Sequence, residues 1–387
     1  MNRDFRASES PARIPFNQPA LTGREIEYVS AAIGSRKHSG DGDFTRRCQE
    51  WLKKLGFQKP LLTTSCTSAL EMAALLLDIN AGDEVIVPSY TFVSTANAFA
   101  LRGATVRFSD SLAEQPNVDP AEVERLINDR TKAICVVHYA GVACDMDRIL
   151  AAAQSVGASV VEDAAQAIFS SYQGRPLGSI GSFGAFSFHE TKNISCGEGG
   201  FLAVNEARYD GLAEIVREKG TNRNAFFRGE VDKYGWVALG SSYLPSEILA
   251  AFLLAQLEQA DAIQQQRLRV WNHYRDRLVG LADTGAFSLP CIPDYATNNA
   301  HMFYLVCRSD QRSGLIAQLK RERISAVFHY QSLHASPYFR EKYAGPPLPN
   351  ADRYSDCLVR LPFFTELQNA HIDRICDVIH RYYASIE

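Results

Sequence analysis

The sequence predicts an α/β fold built on a mainly parallel sheet covered on both faces, followed by a smaller α+β part. Three observations predict it. From Pro60 to Val204, strand-like apolar runs alternate with helical patterns. Where the runs end, polar residues gather, and in such sheets strand ends are where side chains project into a ligand crevice. Past about residue 256 the composition shifts, and strands and helices no longer alternate regularly.

The elements follow in order. Arg13 to Ala20 is extended and proline-bearing. Thr22 opens a helix through Ile33 whose apolar face is Ile26, Val29 and Ile33, ended by Gly34 and Ser35. Ser39 to Gly42 is a tight turn, and Phe44 to Leu55 a helix with Arg46 and Arg47 on a solvated face. Pro60 to Thr64 is a strand. Ser65-Cys66-Thr67-Ser68 then leads into a buried helix from Ala69 to Leu77, with capping-box spacing between Ser68 and Glu71. Small hydroxyl residues at a helix start serve equally as an ordinary cap or as an anion site, where free N–H groups and the helix dipole favour phosphate. The stretch is neither a P-loop nor a dinucleotide fingerprint.

Strands are expected at Glu84–Val87, Thr105–Phe108, Lys132–Val137, Ser159–Val161 and Phe201–Val204, and helices at Val93–Arg102, Asp119–Ile127, Asp147–Ser155 and Ala207–Glu218. Gly220 to Tyr243 has no clear period and is too long for an ordinary connection, which marks a functional loop. A long helical run from Ser246 continues through Leu278. Beyond it come strands at Met302–Val306 and Ala326–His329 and helices at Ser313–Arg321, Tyr354–Val359 and Ala370–Tyr383.

Composition excludes several classes. A net charge of −4 implies no nucleic-acid partner. The apolar run Met72 to Leu77 is far short of a membrane span, and Met1 to Arg13 lacks a signal-peptide core and reads as a disordered extension. Nine cysteines without a paired motif suit a reducing cytoplasm and point to neither a disulfide framework nor a metal site. Cys66 and Cys196 read as small packing residues.

Four motifs fall on strand ends of one sheet: Ser65–Ser68, Tyr90-Thr91-Phe92, Asp163-Ala164-Ala165-Gln166 and Ser187-Phe188-His189-Glu190-Thr191-Lys192. A phosphate cradle, an aromatic face, a buried carboxylate and a lysine are the parts that hold pyridoxal 5′-phosphate. A lysine in a partly apolar site loses charge and becomes nucleophilic.

Val161-Glu162-Asp163-Ala164-Ala165-Gln166, Ser187 to Asn193 and Gly197-Glu198-Gly199-Gly200 resemble the DegT/DnrJ/EryC1/StrS sugar-nucleotide aminotransferases, over about Ile14 to Tyr383. The resemblance implies the aspartate aminotransferase fold type I. That fold has a large pyridoxal phosphate-binding domain (residues 14–255) around a mainly parallel seven-stranded sheet, and a smaller C-terminal α+β domain (256–387). Gly40-Asp41-Gly42, Phe44 to Cys48, Pro88 to Phe99 and Gly240-Ser241-Ser242-Tyr243 are similar to the branch serving enterobacterial common antigen synthesis. That branch aminates C4 of dTDP-4-keto-6-deoxy-D-glucose with L-glutamate.

By the same resemblance Lys192 is the Schiff-base lysine and Asp163 the carboxylate at the pyridine nitrogen. Gln166 sits beside the ring hydroxyl, Thr67, Ser68 and Ser187 donate to the phosphate, and Phe92 stacks on the ring. Ser242 stands where the family has an asparagine that reaches the partner subunit's phosphate, which implies a homodimer with composite sites. Tyr139, His329 and Tyr330 face the sugar or are ordinary strand-end residues. His189 is a supporting group or a core histidine. Arg217, Lys219, Arg223 and Arg228 are diphosphate candidates or solvated loop residues.

Overall fold

The computed structural model describes residues 12–386. For residues 1–11 the expectation of a disordered extension lies outside the described residues. Ala12 and Arg13 are exposed, and Ile14 is buried and bridged to Ile324.

Seven strands form the main sheet: β1 (Lys59–Thr63), β2 (Glu84–Pro88), β3 (Thr105–Ser109), β4 (Thr131–Val137), β5 (Ser159–Asp163), then, after the small hairpin β6 (Ser171–Tyr172) and β7 (Arg175–Pro176), β8 (Phe183–Ser187) and β9 (Gly200–Val204). Their order is β1-β9-β8-β5-β4-β2-β3. Only β9 runs against the rest, antiparallel to both β1 and β8. The other six strands therefore end on one edge.

Side chains alternate across a strand, and the two faces are filled accordingly. Leu62, Ile86, Ile134, Phe186 and Phe201 enter one core. Leu61, Val85, Val87, Cys135, Val161 and Phe183 enter the other. A third core lies under the helix Ala260–Ala282, where Trp271, Tyr274 and Leu278 meet Phe303, Leu361 and Ile375. Beside it a two-stranded sheet pairs β10 (Tyr304–Val306) with β11 (Leu358–Arg360).

Several local expectations are corrected. The first helix spans Glu25–Gly34 and buries Glu25, Tyr28 and Ala32, leaving Ile26 82% and Ile33 52% exposed. Its rotation is fixed by Glu25, whose carboxylate accepts the N–H groups of Thr22 and Gly23 and the amide of Gln256. The helix after β1 starts at Cys66 and is capped by Ser65, whose hydroxyl accepts the Ser68 N–H, so Ser68 is not the cap. The run expected from Ser246 through Leu278 is two helices, Glu247–Leu257 and Ala260–Ala282. Near the C-terminus Pro349–Cys357 is helical, while Leu358 and Val359, expected to end a helix running from Tyr354, belong to strand β11 (Leu358–Arg360). Ala326–His329 is not a strand but one bridge, between Val327 and Arg360. Among the described residues no helix is long and apolar enough to cross a membrane.

Candidate active site

The common edge brings four of the motifs together. After β1, the helix Cys66–Leu76 begins inside the protein. The Ser68 N–H is taken by the Ser65 hydroxyl at 3.0 Å and the Ala69 N–H by the Ser65 carbonyl, which leaves the first-turn amides of Cys66 and Thr67 for an anion. The hydroxyls are linked: Thr64 to Ser68 at 2.8 Å and Thr67 to Ser94 at 2.8 Å. Gly200 of β9 passes directly beneath. A Cβ there would lie 2.7 Å from the Cys66 nitrogen and 2.3 Å from the Phe186 carbonyl, so only glycine lets the strand run this close.

Asp163 ends β5 and is buried. Oδ2 accepts the Thr95 hydroxyl at 2.7 Å, and Oδ1 accepts the Ala165 N–H at 3.2 Å, with the Cys66 thiol 3.9 Å away. Burial raises the pKa of this carboxyl, while the Thr95 and Ala165 hydrogen bonds and the Lys192 charge pull the other way. The next residue down the strand fixes its position. Glu162 is fully buried and accepts N–H groups from Gly178, Ile180 and Gly181 and the ring of His138.

Lys192 lies in the turn between β8 and β9, its N–H bonded to the His189 carbonyl. Asn193 pins that turn, donating to the Asn299 carbonyl at 2.9 Å and pairing with His301 Nδ1 at 2.8 Å. Burial lowers the Lys192 amine to about 8; the nearby Arg360 charge adds to this, while Cys66 and Asp163 oppose it. Ser187 accepts the His189 N–H, and His189 is tied to the Thr191 hydroxyl at 3.0 Å and faces Glu198.

Gln166 accepts the Ala140 N–H at 2.6 Å and donates to the Tyr330 hydroxyl at 3.2 Å. Tyr330 sits among Tyr90, Phe92 and Tyr139 and stacks on His329. Phe92 is 55% exposed at the rim. Ser242 is exposed, one residue before Tyr243, whose carbonyl accepts the Thr64 N–H beside the cradle.

The loop arginines are placed elsewhere. Arg217 is buried against Asp41 in a two-pronged pair at 2.7 and 2.8 Å, Arg223 meets Glu218, and Arg228 meets Glu214 and Glu230. These arginines, with Ser242 and Lys219, line an open groove of about 1270 Å³ that does not include Lys192 or Asp163.

Sequence reasoning missed Thr95, Asn193, His301 and Arg360. Thr95 lies one helical turn beyond Thr91, to which its hydroxyl also bonds, and that i, i+4 pair beside Tyr90-Thr91-Phe92 was a usable signal. Cys66 is more than a packing residue, since its thiol faces Asp163.

The residues fit pyridoxal phosphate. Unpaired first-turn amides can take a phosphate, a buried carboxylate can take a pyridinium, and an amine of lowered pKa can take an aldehyde.

Comparison with known proteins supports this fit. Residues 19–380 match the model of the DegT/DnrJ/EryC1/StrS aminotransferase family. An aminotransferase from Psychrobacter cryohalolentis is 25% identical, covers 97% of this chain and 100% of its own, and superposes with a TM-score of 0.90. DesV of S. venezuelae is 27% identical over 96% of this chain and 99% of its own, with a TM-score of 0.87. Spr1654 of Streptococcus pneumoniae, solved in a PMP form, shares the fold at 24% identity, over 97% of this chain and 100% of its own, with a TM-score of 0.89.

Proposed function

We propose a substrate and a set of residue roles from one premise: the chain belongs to the DegT/DnrJ/EryC1/StrS aminotransferase family, and is a pyridoxal phosphate-dependent sugar aminotransferase of fold type I. The reaction is transfer of the amino group of L-glutamate to C4 of dTDP-4-keto-6-deoxy-D-glucose, giving dTDP-4-amino-4,6-dideoxy-D-galactose. The observation that carries the catalytic reading is the placement of Asp163 at the end of β5 and of Lys192 in the turn beyond the end of the neighbouring strand β8, within electrostatic reach of each other. The sugar itself rests on the segments Gly40 to Gly42, Phe44 to Cys48, Pro88 to Phe99 and Gly240 to Tyr243.

Bound pyridoxal phosphate supplies an aldehyde that condenses with amines and a ring that takes up the electrons left when the donor Cα loses its proton. The protein's residues do the rest. Thr67, Ser68 and Ser187, with the amides of Cys66 and Thr67, hold the phosphate. Asp163, oriented by Thr95 and Ala165, holds a proton on the ring nitrogen through a charge-assisted hydrogen bond. Lys192, with its amine lowered to about 8, can both give and accept a proton near neutral pH. Gln166, hydrogen-bonded to Tyr330, would meet the ring hydroxyl, and Phe92, beside the same tyrosine, would offer the stacking face.

The active unit is a homodimer with composite sites. Besides Ile26 and Ile33, the segment from Gly220 to Tyr243 leaves Phe227, Trp236, Val237 and Leu239 more than half exposed, and Ser242 follows them. A second copy would cover such apolar surface and bring Ser242 to its partner's phosphate. A cytoplasmic setting fits nine cysteines that are all free thiols. A C3 aminotransferase, another C4 aminotransferase, or a cofactor-binding sensor would use the same scaffold. An assay of the purified protein with L-glutamate against a panel of nucleotide-linked keto sugars, with product stereochemistry read by NMR, separates them. Amination at C4 with the galacto configuration supports the reading, and exclusive reaction at C3 overturns it.

A further inference from the structure

Asn299 is fully buried and joins the turns that carry Lys192 and Gln166. Its Nδ2 uses both hydrogens on the second turn, donating to the Gln166 carbonyl at 2.7 Å and the Ile168 carbonyl at 2.8 Å. Its Oδ1 accepts the His301 N–H at 3.0 Å. Its backbone carbonyl accepts the Asn193 amide at 2.9 Å, so the residue next to Lys192 is tied to the same point. A third turn, Tyr139–Gly141, is shaped around the side chain: a Cβ at Gly141, whose φ is +78°, would lie 2.0 Å from Asn299 Oδ1.

That point is anchored from behind. The long helix Ala260–Ala282 sends Gln264 to the Asn299 carbonyl at 2.8 Å. From the same helix Arg267 reaches the carbonyls of Ala300 and His301 at 3.0 and 2.6 Å. His301 closes the other side. Asn193 Nδ2 faces a carbonyl and must donate, so its Oδ1 is the acceptor toward His301 Nδ1 at 2.8 Å, and that nitrogen carries the hydrogen. Burial, with the charges of Lys192, Arg360 and Arg267, keeps the imidazole neutral. A buried polar network with its members paired holds one geometry.

We infer that Asn299 is the positioning residue that fixes the separation between Lys192 and Gln166, a role that rests on the aminotransferase reading above. The chemistry of the cofactor makes that separation matter. The aldehyde and the hydroxyl of pyridoxal phosphate are on adjacent carbons of its ring. The amine that takes the aldehyde and the amide that meets the hydroxyl must therefore keep register with each other. The sheet does not supply this register. Pairing of β5 with β8 stops at Asp163 and Ala185, short of both residues. Asn299 supplies the missing link, acting through the two turns.

The test compares two forms of the cofactor on cofactor-free protein. Pyridoxal phosphate has the aldehyde that an amine can take; pyridoxamine phosphate lacks it. Asn193→Leu cuts the link from the lysine turn to Asn299. It should slow capture of pyridoxal phosphate, followed by absorbance, about tenfold or more, since a misplacement of about 1 Å can cost about 10²-fold. Its calorimetric affinity for pyridoxamine phosphate should stay within about twofold of the parent's. Asn299→Ala releases both turns and should weaken both forms. The double variant should lose less capture than the product of the single losses, because the carbonyl that Asn193 meets is then no longer held. Should Asn299→Ala not fold, the contrast between cofactor forms in Asn193→Leu carries the test. Equal losses for the two forms in Asn193→Leu, no loss in it, or multiplicative losses in the double variant would overturn the assignment. Failure of the aminotransferase reading would appear differently, in the unaltered chain, as bound pyridoxal phosphate that L-glutamate never converts to its amino form.

Discussion

Asp163 ends β5 and Lys192 lies just beyond the end of the neighbouring strand β8, and burial displaces both toward their uncharged forms: the carboxyl pKa is raised and the amine is lowered to about 8. Each moderates the other, because the opposite charge favours ionisation. The lysine is thus not locked in one protonation state near neutral pH.

The lysine pKa sets a pH dependence. A base whose folded pKa is lowered gains its neutral form as pH rises through that value. Capture of pyridoxal phosphate by cofactor-free protein should therefore accelerate through about pH 8 and then level off. Asp163→Asn removes the charge that supports the ammonium and should move the midpoint down. A rate still climbing near pH 10, the range of an ordinary lysine, would show that Lys192 is not desolvated as described.

Asp163→Asn should also abolish most turnover. It keeps the size but loses the negative charge, and a drop of about 10²-fold or more in kcat is expected, at about 1.4 kcal/mol per tenfold. Thr95→Val removes the donor to Oδ2 and should cost less, about tenfold. Steady-state kinetics decide; a threonine variant more impaired than the aspartate variant would contradict the order of roles.

Gly200→Ala should damage the phosphate cradle without touching any polar side chain. Its Cβ meets backbone atoms of Cys66, Ser65 and Phe186, none of which is a flexible side-chain end. Overpacking of this kind costs about 1–3 kcal/mol. Both the denaturation midpoint and the affinity for pyridoxal phosphate should fall. Unaltered cofactor affinity in the variant would separate β9 from the cradle.

Composite sites predict complementation. Lys192→Ala mixed with a variant altered between Gly220 and Tyr243 should regain part of the activity, since one site of each mixed dimer carries neither defect. Subunit exchange shown by differential tagging, with no recovery, would assign each site to a single chain.

What was legible in the sequence was local. The motif around Lys192 and the Asp163 strand end could be read because strand, turn and functional residue are contiguous. Arg360 could not, because its relation to Lys192 depends on β11 pairing with β10 and on a bridge to Val327, contacts that the residues around position 360 do not encode. The first two residues of β11, Leu358 and Val359, directly follow a helix with no turn residue between, so the sequence marks no boundary there. The first helix was rotated in the reading because Ile26 and Ile33 outweigh Tyr28 in hydrophobic pattern. In the fold, Glu25 binding two N–H groups sets the rotation and leaves the isoleucines outward. Cys66 reads as packing in the sequence because nothing local places Asp163 beside it.

The most direct measurement of the central claim is borohydride reduction of the pyridoxal phosphate-loaded protein followed by peptide mapping. The label should fall on Lys192, at one per chain, and prior addition of L-glutamate should prevent it by converting the cofactor to its amino form. A label on any other lysine, or labelling of Lys192 that L-glutamate leaves unchanged, would contradict the account.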